Sequence, residues 1–139
     1  MKKYFSLLIL LLCLFITGGC ESAANKNYIQ SIKQFELDPP LLCADNIQRL
    51  VRNFFVLTGG GIRIDEQDIK WKVAKEDGER ILIQTEYNKS KFFIYTTYSD
   101  NIITVDFQKS YIENQNGIRY PVAPILVIDN IYIEKVLDY

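Results

Sequence analysis

From residue 69 to residue 109 the chain runs through short stretches in which apolar and polar side chains interleave. These stretches, 69–75, 80–87, 90–98 and 102–109, are rich in Ile, Val, Tyr, Phe and Thr, and a last one falls within 118–137. Asp77-Gly78, Asn88-Lys89, Asp100-Asn101 and Asn116-Gly117 punctuate them. β-branched and aromatic runs bounded by turn-forming pairs predict strands joined by tight turns.

A slip of one residue moves every side chain to the other face of a sheet, so the apolar pattern selects a register. With Asn88-Lys89 as a two-residue loop, Ile83 faces Ile94, Thr85 faces Phe92 and Ile81 faces Thr96. Asp100-Asn101 likewise sets Tyr98 against Ile103, Thr96 against Val105 and Ile94 against Phe107. The two hairpins agree on one core face of Ile81, Ile83, Phe92, Ile94, Ile103, Val105 and Phe107. A two-residue loop at Asp77-Gly78 would break this agreement by pairing Trp71 with Gln84. A three-residue loop through Glu79 restores it, with Val73 against Ile83 and Trp71 against Thr85. The third residue is therefore expected to be looped out or bulged. Trp71 and Val73 then join the core, with Trp71 largely buried.

The opposite face carries Lys70, Lys72, Gln84, Glu86, Lys91, Phe93, Tyr95, Thr104, Asp106 and Gln108. Glu86 falls beside Lys70 and Lys91, as a cross-strand charge ladder would. Phe93 is placed near Lys91 and Gln108, and Tyr95 beside Asp106. A solvated face does not need these two aromatics. They are expected either to shelter under the C-terminal segment from Pro121 onward, with its Ile125, Val127, Ile131 and Ile133, or to meet a partner.

Upstream the spacing changes. Tyr28, Ile32 and Phe35 predict a short helix over 28–37. Leu42, Ile47, Leu50, Val51, Phe54 and Leu57 recur at three- and four-residue intervals and predict a second helix. Asp38 is its expected cap, Pro39 suits its first turn, and Thr58-Gly59-Gly60-Gly61 ends it. The triple glycine is not a phosphate loop, since it follows a helix and lacks the Gly-Lys-Ser/Thr ending. The fold class is α+β: one or two N-terminal helices packed on an antiparallel meander of four to six strands. That element order resembles cystatin-like and nuclear-transport-factor-2-like domains.

The N-terminus adds a destination. Lys2 and Lys3 precede a run from Tyr4 to Ile16 that only Ser6 interrupts. It is shorter than the roughly 20 apolar residues of a spanning helix and has the flanks of a secretory signal. Thr17-Gly18-Gly19-Cys20 resembles the lipobox of bacterial lipoproteins. The resemblance implies removal of residues 1–19 and acylation of Cys20, with 20–27 as a tether and 28–139 as a single domain. It also implies that Glu21 after the cysteine favours the outer membrane, facing the periplasm. Ser22-Ala23-Ala24 offers a competing signal-peptidase site, which would release a secreted domain beginning at Asn25.

Without residues 1–19 the chain has 14 basic and 17 acidic residues, a net charge of −3. No basic stripe marks a nucleic-acid footprint. The chain contains no His, which removes His-based nucleophile pairs and His-ligated metal sites. Cys43 is expected to be a small buried residue on the second helix. It pairs between molecules, or with an unacylated Cys20, in the alternatives.

These observations favour a membrane-anchored, non-enzymatic module that binds a protein partner through Phe93, Tyr95 and Asp106. Such a module would serve a secretion or surface assembly, or act as an immunity factor. No cofactor or metal is expected. An enzyme would have to use Asp106 with Tyr95, or the acids of Asp65-Glu66-Gln67-Asp68, which also suit a solvated strand and a turn. A small-ligand carrier would need a pocket between helix and sheet.

Overall fold

A computed structural model describes residues 21–59, 61 and 63–126, and the backbone of 132–136. The signal segment and Cys20 lie outside the described residues. Helix α1 spans Ala23–Lys33 and buries Tyr28, Ile29 and Ile32. The Ser22 hydroxyl caps it, accepting from the Asn25 amide at 3.2 Å. The helix therefore starts five residues before the sequence-based boundary, and residues 23–27, expected as a tether, belong to it. It also ends short of Phe35, which is fully buried beyond its C-terminus.

The second helix is shorter than its apolar spacing predicts. Asp38 and Pro39 sit in strand β1 (Glu36–Leu41), which pairs antiparallel with β2 (Ala44–Asn46). The cause lies in Pro39-Pro40, because a proline biases its predecessor toward extended backbone. Leu42 and Cys43 turn the chain between the two strands with φ of 48° and 59°. Cys43 is thus exposed on a turn, not buried on a helix. Helix α2 (Ile47–Thr58) starts from Asn46, whose side chain accepts from the Arg49 amide at 2.9 Å. It buries Ile47, Leu50, Val51, Phe54 and Phe55, while Leu57 is exposed.

The main sheet has six antiparallel strands: β3 (Lys70–Asp77), β4 (Arg80–Tyr87), β5 (Ser90–Ser99), β6 (Ile102–Glu113), β7 (Arg119–Pro121) and β8 (Tyr132–Val136). Strands β3 to β6 form a meander. β6 then carries both later strands, β8 along residues 102–106 and β7 along 111–113. Helix α3 (Ala123–Leu126) follows β7 and buries Leu126 in the core beside Val122. The fold is α+β, with N-terminal helices on a meander sheet. Among the described residues no helix is long and apolar enough to cross a membrane.

The β4–β5 register agrees with the sequence reading at Ile81↔Thr96, Ile83↔Ile94 and Thr85↔Phe92. Positive φ at Asn88, Lys89, Asp100 and Asn101 makes both turns two-residue loops that match strand twist. The first hairpin differs. Asp77 pairs with Arg80 across Gly78-Glu79, and the surplus residue is Ala74, between Val73↔Ile83 and Lys75↔Leu82. The pairings Trp71↔Thr85 and Val73↔Ile83 hold because a bulge inside the strand corrects parity as well as one at the turn. Trp71 is half-buried on this edge strand, not deep in the core, with the Lys33 ammonium 5.4 Å from its ring.

A second irregularity lies in β6. Tyr95 pairs with Asp106, but Phe93 pairs with Tyr111: two steps on β5 against five on β6. The expected Ile94–Phe107 pair is therefore replaced by a bulge over Phe107–Ser110. Its odd surplus switches faces, so that Phe107 before it and Ile112 after it are both buried in the core.

Candidate functional site: the outer face of the sheet

The sheet turns its inner face to the helices, where Phe54 of α2 meets Phe92 edge to face at 5.1 Å. Phe35, Phe54, Phe92 and Phe107 are all fully buried there, and a hollow of about 220 Å³ remains at the end of α2, lined by Phe55, Thr58, Ile64 and Tyr87. The outer face carries Phe93 and Tyr95, paired with Gln84 and Leu82.

There the β6 bulge produces a group of rings. Tyr111 arrives opposite Phe93 and stacks on it, with ring centroids 4.7 Å apart and planes 20° apart. Tyr95 lies 6.4 Å from Tyr111. β7 brings Arg119 opposite Glu113, and its guanidinium carbon sits 4.6 Å from the Tyr111 centroid. Glu113 is shared by two cations: its carboxylate lies 3.2 Å from Arg119 Nε and 3.7 Å from Lys91 Nζ. Burial pushes the Tyr111 phenol above its ordinary value; Arg119 pulls the other way.

Asp106 is nearly buried at the start of the bulge. One carboxylate oxygen meets Lys109 Nζ at 3.1 Å and the other accepts from the Lys109 amide at 3.2 Å. Ser110 closes the bulge. Its hydroxyl donates to the Asp106 carbonyl at 2.7 Å and accepts from the Tyr95 amide at 3.1 Å. The amide contact holds the shape of the strand, while the ammonium contact is an ion pair with an exposed side chain. The acids at 65–68 fold as a 3₁₀ turn leading into β3, with Glu66 3.7 Å from Arg52.

The structure brings Phe93, Tyr95 and Asp106 onto one face, but in unequal roles. Phe93 is 8% exposed because Tyr111 covers it. Gln108 is not its cross-strand neighbour, contrary to the sequence reading, since the bulge puts Tyr111 there. Of the expected C-terminal cover, Ile125 is exposed, while Val122 and Leu126 before and after it are buried in the core. Val127 and Ile131 lie outside the described residues, and Ile133 pairs by backbone with Val105. Tyr95 is half-exposed between two hollows of about 200 and 150 Å³ that share it with Arg80. Lys75 and Asp77 are among the residues that line one hollow, Asp106 and Lys109 among those that line the other.

Sequence reasoning missed Tyr111, Glu113 and Arg119. Strict alternation from Val105 and Phe107 sends Tyr111 to the core. The signal was Gln108-Lys109-Ser110, a polar triplet where one apolar position was due.

No protein-family model, curated protein or solved structure matches the chain. What defines its class is the architecture, an α+β domain with two helices on one face of an antiparallel sheet and an aromatic cluster on the other.

Proposed function

We propose that this chain is a small bacterial envelope lipoprotein, anchored through acylated Cys20 at the outer membrane. It works without catalysis, as a protein-binding module. The observation that carries the anchor is the start of α1. Cleavage after Ala24 would remove Ser22, the cap of the helix, together with its first two residues. Losing a Ser cap costs about 1 kcal/mol. Cleavage before Cys20 leaves cap and helix whole. Acyl chains then hold the protein, at about 0.8 kcal/mol per buried methylene.

The binding face in this reading is the outer sheet surface around Tyr95. A half-exposed tyrosine among Arg80, Lys109 and the Tyr111–Arg119 pair has the mixed aromatic and charged make-up of interface hot spots. The partner is a protein of an envelope assembly, or a toxin for which this chain is the immunity factor. Cys20→Ser tests the anchor. The substituted protein should leave the membrane fraction; its retention there would refute acylation as the anchor.

A further inference from the structure

Acylation of Cys20 would leave only Glu21 between the lipid and the cap of α1. Two residue steps span at most about 7 Å, so the first turn of the helix would be held at the headgroups.

That helix is fixed to the body. The Tyr28 hydroxyl lies 2.8 Å from the Thr96 hydroxyl, and its ring meets Tyr98 at 5.8 Å. Ile32 is fully buried, and Lys33 stands over Trp71. These contacts also give the helix a direction along the sheet. Trp71 pairs with Thr85, and Thr85 with Phe92, toward one end of the sheet. Thr96 and Tyr98 lie toward the other end, where the chain turns at Asp77–Arg80 and Asp100-Asn101. From Lys33 to Tyr28 the helix therefore runs toward these turns. Its remaining residues back to Ser22 rise about 9 Å further. From Tyr98 the strand needs two residues to reach Asp100, a comparable advance of about 7 Å.

We infer that the acylated protein stands on the membrane on this end, with its β3–β4 and β5–β6 turns against the lipid headgroups. The inference rests on the acylation proposed above. Asp77, Gly78, Glu79, Asp100 and Asn101 are exposed and polar, so these turns would not enter the lipid; their three carboxylates, offset in part by Lys75 and Arg80, would be held at the headgroup layer by the short tether and not by charge. The exposed residues Ile118, just before β7, and Tyr120, on it, flank Arg119 at the opposite end. Phe93, eight residues along from Asn101, would be lifted about 25 Å from the membrane. Its face would be presented sideways and outward, toward a partner in the envelope.

The test uses the full chain, processed in a bacterial host and reconstituted into vesicles of phosphatidylethanolamine and phosphatidylglycerol. A fluorophore is attached at Glu79→Cys or Gln115→Cys, each with Cys43→Ser, and a quencher is carried on the headgroups. Quenching at 79 should be several-fold stronger than at 115. A flexible Gly/Ser segment of about 12 residues inserted after Glu21 should remove the difference. Equal or reversed quenching in protein that floats with the vesicles overturns the orientation and leaves the anchor standing. A difference that survives the insertion overturns the short tether as its cause. Protein that does not float overturns the anchor and the orientation together.

Discussion

The hydroxyls of Tyr28 and Thr96, 68 positions apart in the chain, lie 2.8 Å from each other in the buried layer between α1 and the sheet. Thr96 spends its single proton on the Ile81 carbonyl at 2.7 Å, so Tyr28 is the donor. Burial pushes the Tyr28 phenol from 10.0 up to about 12. The protonated phenol is the form that the native state favours. The resulting stability, on the order of 2–3 kcal/mol, is fully present below pH 10 and is lost as pH rises toward 12. Tyr28→Phe should cost about 1 kcal/mol near neutrality and flatten that alkaline loss. Urea midpoints measured across this range check both; an unaltered alkaline slope would sink the assignment.

Ser110 holds the bulge that shapes the outer face. Ser110→Ala removes an acceptor from the Tyr95 amide and a donor from the Asp106 carbonyl. The expected destabilisation is about 1–3 kcal/mol, from leaving a part-buried amide unpaired. Ser110→Thr, which keeps the hydroxyl, should recover part of it. Thermal unfolding of the two variants decides; equal stability of Ser110→Ala and the parent would mean the bulge does not depend on this hydroxyl.

Burial ranks two aromatic truncations. Phe92 is fully buried against Phe54, so Phe92→Ala should cost about 3–5 kcal/mol. Trp71 is half-buried on the edge strand and should cost clearly less on truncation. Chemical denaturation that placed Trp71→Ala above Phe92→Ala would contradict this arrangement of the core.

How much of this was legible in the sequence follows from where parity holds. The β4–β5 turn and the ends of β5 and β6 are set by two-residue loops and β-branched runs, and both can be counted. Ala74 and the Phe107–Ser110 bulge are surplus residues, and a surplus residue carries no side-chain label of its own. Broken parity reveals the first but not its position, since a bulge at Glu79 restores the register as well as one at Ala74. Nothing in the alternation up to Phe107 marks the second, which hides Tyr111 and the Arg119 brought by β7. On the helices, apolar spacing found the buried residues of α2, but not its start. Leu42 fits the period, yet Pro39-Pro40 holds the chain extended and Asn46 supplies the cap.

On the outer face, the stack of Tyr111 over Phe93 separates folding from recognition. Phe93→Lys should destabilise the domain, because the ring is nearly buried. Tyr95→Glu puts a charge at a half-exposed site beside Arg80 and should leave thermal unfolding within about 1 kcal/mol of the parent. Co-purification of a partner from crosslinked envelopes should fail with Tyr95→Glu. Capture undiminished by this change would move the interface elsewhere.

The most direct test of the account is the mass of the mature N-terminal peptide, isolated from membranes of the native host. The account predicts a chain that begins at Cys20 and carries the added mass of acyl groups on that residue. A mature chain beginning at Asn25, or an unmodified Cys20, would contradict it.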